Sequence, residues 1–403
     1  MLAICCFVIF VGIAATPLNK VLLSEDLAES YGAKCLDGTP AGYYIREVRG
    51  SSDWVFFLQG GGLCVEPVDC LSRSKSQLGS SKYWAATYQD DNNVLNSDPL
   101  ENPFSHFNAV YVPYCSGDTF LGMKKSRNVL LGGLYTNGHL ILEAIVDHLH
   151  NTTSMGNKVD RVLLSGDSAG GIGALHNADW LTQTIRSKFG FADAVVKASP
   201  QAGLFFPSRP SVGICLYEEY WLLGARCPRV EIFESWYVRH VQNAFVNSAC
   251  KSKLGDSTRC WDAGILARYV ETPLFLAQNR YDQNQMNNEF LCFGCKPDVS
   301  KMSQKDKEYM TYFGNHTEAT LRDLADNFGH SVFMPNCFAH TFNLCMRAGP
   351  KVSGFSYSSA LRDWFFHGKH HALYDDCGDL PCSTTCGDCQ GSSALATSVD
   401  MLV

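Results

Sequence analysis

Gly166-Asp167-Ser168-Ala169-Gly170-Gly171 sets a serine between glycines, directly after the apolar run Arg161-Val162-Leu163-Leu164-Ser165 and directly before small residues, Ala169 to Ala174, that lead into a helix. The letters G-x-S-x-G are common in Ser/Gly-rich chains. Strand, sharp turn and helix in this order are not, and together they present a serine hydroxyl above the edge of a sheet. Glycines are needed because the serine backbone is strained and neighbouring segments pass without room for a Cβ. The same turn leaves the Ala169 N–H at a helix start, where the dipole favours negative charge. The chemistry such a turn performs is acyl transfer through a serine nucleophile; its non-catalytic counterpart is a Gly-rich turn that packs a helix on a strand.

A serine nucleophile needs an oxyanion hole, whose second donor comes from a loop after an earlier strand. Gln59-Gly60-Gly61-Gly62-Leu63-Cys64 closes the apolar run Trp54 to Leu58 and can turn N–H groups of Gly61 and Gly62 toward a carbonyl oxygen. The acid and base should follow in the order Ser, Asp/Glu, His. Asp282 ends the strand-like run that begins at Pro273, whereas Asp298, Asp306, Asp323 and Asp326 lie on polar or helical stretches and Asp256 and Asp262 inside an insertion. His367, His370 and His371 lie on or past a C-terminal helix that starts near Tyr357. His330 and His340 flank the segment Val332 to Ala339, and spacing leaves both open, with the end of that segment favouring His340.

These residues must be held by a larger frame. Strand-like runs at Trp54–Leu58, Ala109–Tyr114, Val159–Ser165, Ala194–Ala198 and Pro273–Ala277 alternate with helical segments, among them Thr136 to His150, with Thr136 or Asn137 available as its cap. A βαβ series of this kind predicts an α/β fold with a mostly parallel sheet flanked by helices, of the α/β-hydrolase type. Pro207 to Tyr269, aromatic and cysteine-bearing, reads as a mostly helical insertion. The predicted organisation is one domain over 17–373, followed by a Cys/Gly/Ser-rich tail over 374–403.

Composition bounds the rest. The 403 residues carry 33 Lys+Arg against 40 Asp+Glu, net −7, and 46% are apolar, which excludes disorder and a basic nucleic-acid binder. Residues 1–16 contain an apolar run that ends in small residues, the pattern of a secretory signal cleaved near Ala15 or Thr16; lacking Lys and Arg, it leaves an uncleaved anchor as the alternative. Removing Cys5 and Cys6 from the 18 cysteines leaves 16, an even number suited to disulfides in a secreted, extracellular chain. Cys64 and Cys70 could bridge beside the oxyanion loop, and Cys215, Cys227, Cys250 and Cys260 could close two nested loops. The pairs Cys292/Cys295 and Cys386/Cys389 would suit zinc only in a reduced protein. Asn151 and Asn315 stand in Asn-x-Thr sequons as glycosylation candidates. No metal or cofactor is called for, and a monomer is expected.

The chain resembles the pectin acetylesterase/Notum family of secreted serine esterases from about Lys34 to Phe365. Cys35-Leu36-Asp37-Gly38-Thr39-Pro40 is similar to the family's opening segment, and Leu58-Gln59-Gly60-Gly61-Gly62-Leu63-Cys64 to its L-E-G-G-G-W-C loop. Val112-Pro113-Tyr114-Cys115-Ser116-Gly117-Asp118 is nearer to the Notum branch. Phe333 to Thr341 resembles F-x-x-S-C-F-A-H, and Asp363-Trp364-Phe365 the closing D-W-[FY]. The resemblance implies Ser168 as nucleophile, Asp282 as acid, His340 rather than His330 as base, and Gly61, Gly62 and Ala169 as oxyanion donors. Gln59 in place of glutamate and Leu63 in place of an aromatic residue bear on substrate choice. The expected substrate is an acetylated, pectin-like polysaccharide; the alternatives are a fatty acyl ester on a secreted protein and, from another class, an inactive extracellular binding protein on the same scaffold.

Overall fold

The computed structural model describes residues 16–64, 67–90, 93–206, 243–255, 257–289, 292–341 and 349–386. Continuous apolar runs become strands buried on both faces, as a parallel sheet between helices requires. The strands are β1 (Leu18–Leu22), β2 (Gly42–Arg46), β3 (Asp53–Leu58), β4 (Thr87–Tyr88), β5 (Asn108–Val112), β6 (Arg161–Asp167), β7 (Val195–Gln201), β8 (Phe275–Ala277), β9 (Tyr281–Asp282), β10 (Ser331–Met334), β11 (Phe338–Ala339), β12 (Lys351–Val352), β13 (Phe355–Ser356) and β14 (Ala372–Tyr374). Ten of them form one sheet in the order β14-β10-β8-β7-β6-β3-β5-β2-β1-β4. From β14 to β5 every pairing is parallel, and β2, β1 and β4 add an antiparallel flank.

Helices cover this sheet: α1 (Glu25–Tyr31), α2 (Pro67–Arg73), α3 (Gly138–Thr152), α4 (Ala169–Gln183), α5 (Ser248–Leu254), α6 (Ala263–Leu266), α7 (Gln304–Phe328) and α8 (Tyr357–His367). One large core packs between them and the strands, with Trp54, Phe275, Phe333 and Tyr357 fully buried. The α/β-hydrolase-type frame expected from the sequence is therefore present. Most of the expected insertion, 207–242 with Cys215 and Cys227, lies outside the described residues, as do Asp256, Cys389 and the leader 1–15; α5 and α6 are the helices of that stretch within them.

Two local expectations change. The run from Pro273 to Asp282 is not one strand: β8 stops at Ala277, and Tyr281 and Asp282 pair instead with Phe338 and Ala339 in a separate parallel ladder. The intervening backbone follows the end of β10 and the chain beyond it, with Gln278 N donating to Phe333 O at 3.1 Å and Arg280 N to Pro335 O at 3.0 Å. Neither Thr136 nor Asn137 caps α3 with its side chain. Asn137 occupies the N-cap position without a side-chain bond, and Gly138 N donates to the Asp118 carboxylate at 2.7 Å instead. A carboxylate at a helix start satisfies an orphan donor and opposes the dipole, so a residue twenty positions upstream does the capping.

Asp118 is fully buried and also accepts from Ser116 Oγ (2.5 Å) and Phe120 N (3.1 Å); burial pushes its carboxyl up to about 6. Its turn holds Thr119 and Phe120 at positive φ, and Asn177 of α4 donates to Phe120 O, so the carboxylate ties the end of β5 to both helices beside the site. Asp118→Ala leaves several buried donors unpaired at ~1–3 kcal/mol each. After partial relaxation the expected cost is roughly 2–4 kcal/mol of unfolding free energy, read by urea denaturation.

Candidate active site

The register of β3 on β6 pairs Leu58, the last residue of β3, with Gly166, one residue before the end of β6, so the Gln59–Cys64 loop lies beside Asp167 and Ser168. A Cβ at Gly170 would collide with the Leu58 carbonyl oxygen; only glycine lets α4 start this close to β3. Ser168 itself has φ 53° and ψ −123°, a strained conformation for a residue with a side chain. Two backbone bonds hold it there: Ser168 N donates to Gln201 O at 3.0 Å, and Ile172 N to Ser168 O at 2.9 Å. The N–H groups of Ala169, Gly170 and Gly171 precede that first intrahelical bond, which leaves them at the positive end of α4.

His340 and Asp282 are brought together by the small ladder, in which Ala339 stands opposite Asp282. Asp282 is fully buried. His340 Nδ1 donates to its Oδ2 at 2.9 Å, with Oδ1 at 3.1 Å, and His340 Nε2 lies 2.7 Å from Ser168 Oγ. This network assigns the proton to Nδ1 and leaves Nε2 to accept from the serine. Asp282 is held in turn by Gln285 N at 2.9 Å and Gln278 Nε2 at 3.0 Å, while Gln278 Oε1 accepts from Leu204 N at 3.1 Å. The competing histidine, His330, is buried with Nε2 on the Ala267 carbonyl at 2.7 Å, and desolvation holds its imidazole below the usual range. It fills a structural role away from Ser168.

The glycine loop after β3 is clamped from several sides. Gly60 N donates to Asp167 Oδ1 at 2.9 Å, which commits that donor and leaves Gly61 and Gly62, both at positive φ, as the next ones along the loop. Arg73, buried on α2 and paired with Asp69 at 3.2 Å, donates to Gly61 O, and the Cys64–Cys70 disulfide joins the loop to the same helix. Gln59 Oε1 accepts from Tyr114 N at 2.9 Å, a bond that a glutamate oxygen would also make. Leu63 packs against an apolar cluster that includes Leu36, Leu131, Leu134 and the Cys64–Cys70 bridge, with Trp261 alongside.

Six disulfides occur among the described residues: Cys35–Cys115, Cys64–Cys70, Cys250–Cys260, Cys292–Cys295, Cys337–Cys386 and Cys377–Cys382. Cys292 and Cys295 bond each other and Cys386 bonds Cys337, so these thiols are not zinc thiolates. Cys337–Cys386 anchors the tail directly before His340, and Arg280 Nη1 donates to Gly378 O at 2.8 Å; through Cys386 the tail is thus packed on the site. Asn151 is exposed on the last turn of α3. Asn315 is exposed on α7, but its Oδ1 accepts from Arg280 Nη2 at 2.9 Å and Thr317 is buried. Among the described residues no helix is long and apolar enough to cross a membrane.

Gln278, Arg73 and Asp167 were not singled out from sequence as site residues. For Asp167 a signal existed, since an acidic residue directly before the serine must sit inside a buried turn. Gln278 and Arg73 carry no such mark: their partners Asp282, Asp69 and Gly61 lie within twelve residues, but a glutamine in a polar stretch and an arginine four residues after an aspartate are ordinary surface patterns.

The pectinacetylesterase family model matches residues 15–387. The chain belongs to the pectinacetylesterase family. It is 28% identical over 392 residues to pectin acetylesterase 5 of Arabidopsis thaliana, covering 93% of this chain and 86% of the relative. To palmitoleoyl-protein carboxylesterase notum2 of Xenopus laevis it is 30% identical over 374 residues, covering 87% and 71% respectively. Among solved structures, the Wnt deacylase Notum from Drosophila superposes with a TM-score of 0.77 at 24% identity, covering 92% of this chain and 99% of that one, a likeness of fold. As a pectinacetylesterase-family member the chain is a carboxylic ester hydrolase.

At Gly61, with φ 151°, a Cβ would come within 2.8 Å of Tyr114 Cδ1 and 2.9 Å of Leu78 Cδ2. Gly61→Ala is therefore expected to displace the loop, lowering kcat by ~10²–10³, the cost of one oxyanion donor, with little change in KM; steady-state kinetics on p-nitrophenyl acetate measures both.

Proposed function

We propose that this family member hydrolyses O-acyl esters through an acyl-enzyme on Ser168, with His340 as base and acid and Asp282 as the orienting carboxylate. The observation that carries the reading is the hydrogen-bonded line from Ser168 Oγ through His340 to Asp282, with the serine at φ 53°. His340 Nε2 takes the Ser168 proton as Oγ attacks the ester carbonyl. N–H groups of Gly61, Gly62 and Ala169 receive the oxyanion. The carbon–oxygen bond to the alcohol then breaks as His340 returns the proton to it, and water repeats the sequence on the acyl-serine to release the acid. Asp282 keeps the imidazole in the required tautomer and stabilises the imidazolium between the two proton transfers. No metal or cofactor enters this scheme.

For the acyl carrier we infer an acetylated, pectin-like polysaccharide, supported by the family model and by the Arabidopsis relative, whose name states that activity. A second reading, removal of a fatty acyl group from a secreted protein, draws on the notum2 relative and on the apolar cluster behind Leu63, which lies beside the oxyanion loop. We further infer passage through an oxidising, secretory compartment, supported by the six disulfides. Ser168→Ala is expected to lower the kcat of purified protein by at least ~10⁴ toward what binding and the hole provide. Rates on p-nitrophenyl esters that fall from acetate to octanoate, with acetate released from acetylated pectin, support the first carrier. A strong rise toward octanoate supports the second and overturns the first.

A further inference from the structure

Asp167 is the residue of the serine turn that the scheme above leaves unused. Its side chain leaves β6 one residue before the nucleophile and reaches across to the loop after β3, where Oδ1 accepts the Gly60 N–H at 2.9 Å. The contact is close on both sides. A Cβ added at Gly60 would lie 2.9 Å from Asp167 O, 3.2 Å from Asp167 Oδ2 and 3.1 Å from Ser168 Cβ. The loop that carries Gly61 and Gly62 is therefore hung from the same turn that carries the serine, by a charge-capable acceptor rather than by strand pairing, which ends at Leu58 and Gly166.

We propose that Asp167 is a positioning residue of the reaction: its carboxylate fixes the oxyanion loop against the nucleophile through Gly60 and supplies His340 with a second anionic neighbour besides Asp282. The inference rests on the acyl-enzyme reading. The groups facing Asp167 are few. His340 comes from the loop after β11, Asp90 and Tyr88 from β4 and the residues after it, Tyr111 from β5, and from β7 the neutral Gln201. Burial holds both phenols above their ordinary range, so neither titrates near neutrality. Burial also raises the Asp167 carboxyl to about 6; the Gly60 N–H and His340 oppose this rise and Asp90 adds to it. Asp167 therefore gains its charge over the pH range in which an imidazole base gives up its proton.

Two consequences separate this role from simple packing. An ionised Asp167 favours the imidazolium, so removing its charge lowers the pH at which His340 loses its proton. In the stability linkage, an acid raised from 3.8 to about 6 on folding contributes stability that is complete below 3.8 and lost as pH rises through 6. A neutral replacement does not suffer that loss.

The test compares wild type, Asp167→Asn, Asp167→Ala and Ser168→Ala on p-nitrophenyl acetate from pH 4.5 to 9, with melting temperatures across the same range. Asp167→Ala is expected to lower kcat about tenfold or more with little change in KM, a fraction of the loss of a whole oxyanion donor. Asp167→Asn, whose amide oxygen still accepts from Gly60, should recover most of that loss while its acid limb of kcat/KM moves roughly half a unit to one unit lower. The melting temperature of Asp167→Asn relative to wild type should climb between pH 4.5 and about 6.5 and then level off. If Asp167→Asn keeps the wild-type acid limb, the positioning role is overturned whether or not Asp167→Ala folds, and so it is if a folded Asp167→Ala loses activity that Asp167→Asn does not recover. If Ser168→Ala retains activity, the acyl-enzyme reading falls first, and this role with it.

Discussion

The site depends on one pairing, β3 against β6, in a register whose last pair is Leu58 with Gly166. Shifted by two residues, that register would keep the hydrophobic faces but carry the glycine loop about 7 Å along the strand direction, away from Ser168. The small residues after the serine follow from the same constraint. Helix α4 must begin against the Leu58 carbonyl, and a side chain at Gly170 would force it outward together with the N–H groups of its first turn. Sheet geometry and catalytic geometry are thus the same fact at this edge.

Around that pairing the chain adds restraints of different kinds. The serine turn is held by backbone bonds to Gln201 and Ile172. The glycine loop is held by an ion-paired arginine, a carboxylate and a disulfide, because glycines provide no packing of their own. Asp282 and His340 are held by a two-residue ladder, with Gln278 and Gln285 fixing the carboxylate. A strained serine persists where its surroundings over-determine it, and each of these restraints contributes to that.

Much of this was legible in the sequence because it is local. The serine turn, the triple glycine and the apolar runs at Trp54, Ala109 and Val159 are contiguous signals whose physics acts within a few residues. His340 was not separable from His330 by spacing, since both flank the same apolar segment. What distinguishes them in space is that His330 meets the Ala267 carbonyl, 63 residues away, and His340 meets Asp282 through β11. The break between β8 and β9 was hidden because Gln278-Asn279-Arg280 interrupts the run with no Gly or Pro, and the partners that divide it into two ladders, β10 and β11, lie more than fifty residues on. The cap of α3 was misplaced because its acceptor, Asp118, belongs to a turn with no helical signal of its own.

The ladder of β9 and β11 has a mechanical meaning. It joins Asp282 to the strand that leads into His340 in one hydrogen-bonded unit, further tied by Cys337–Cys386, while Ser168 belongs to the central sheet. Asp282 and His340 therefore belong to one unit. Any loosening between that unit and the central sheet would be felt at the 2.7 Å contact between His340 Nε2 and Ser168 Oγ, whereas the bond that sets the imidazole's tautomer lies within the unit. Loosening of this kind would blur when the proton moves without changing which nitrogen receives it.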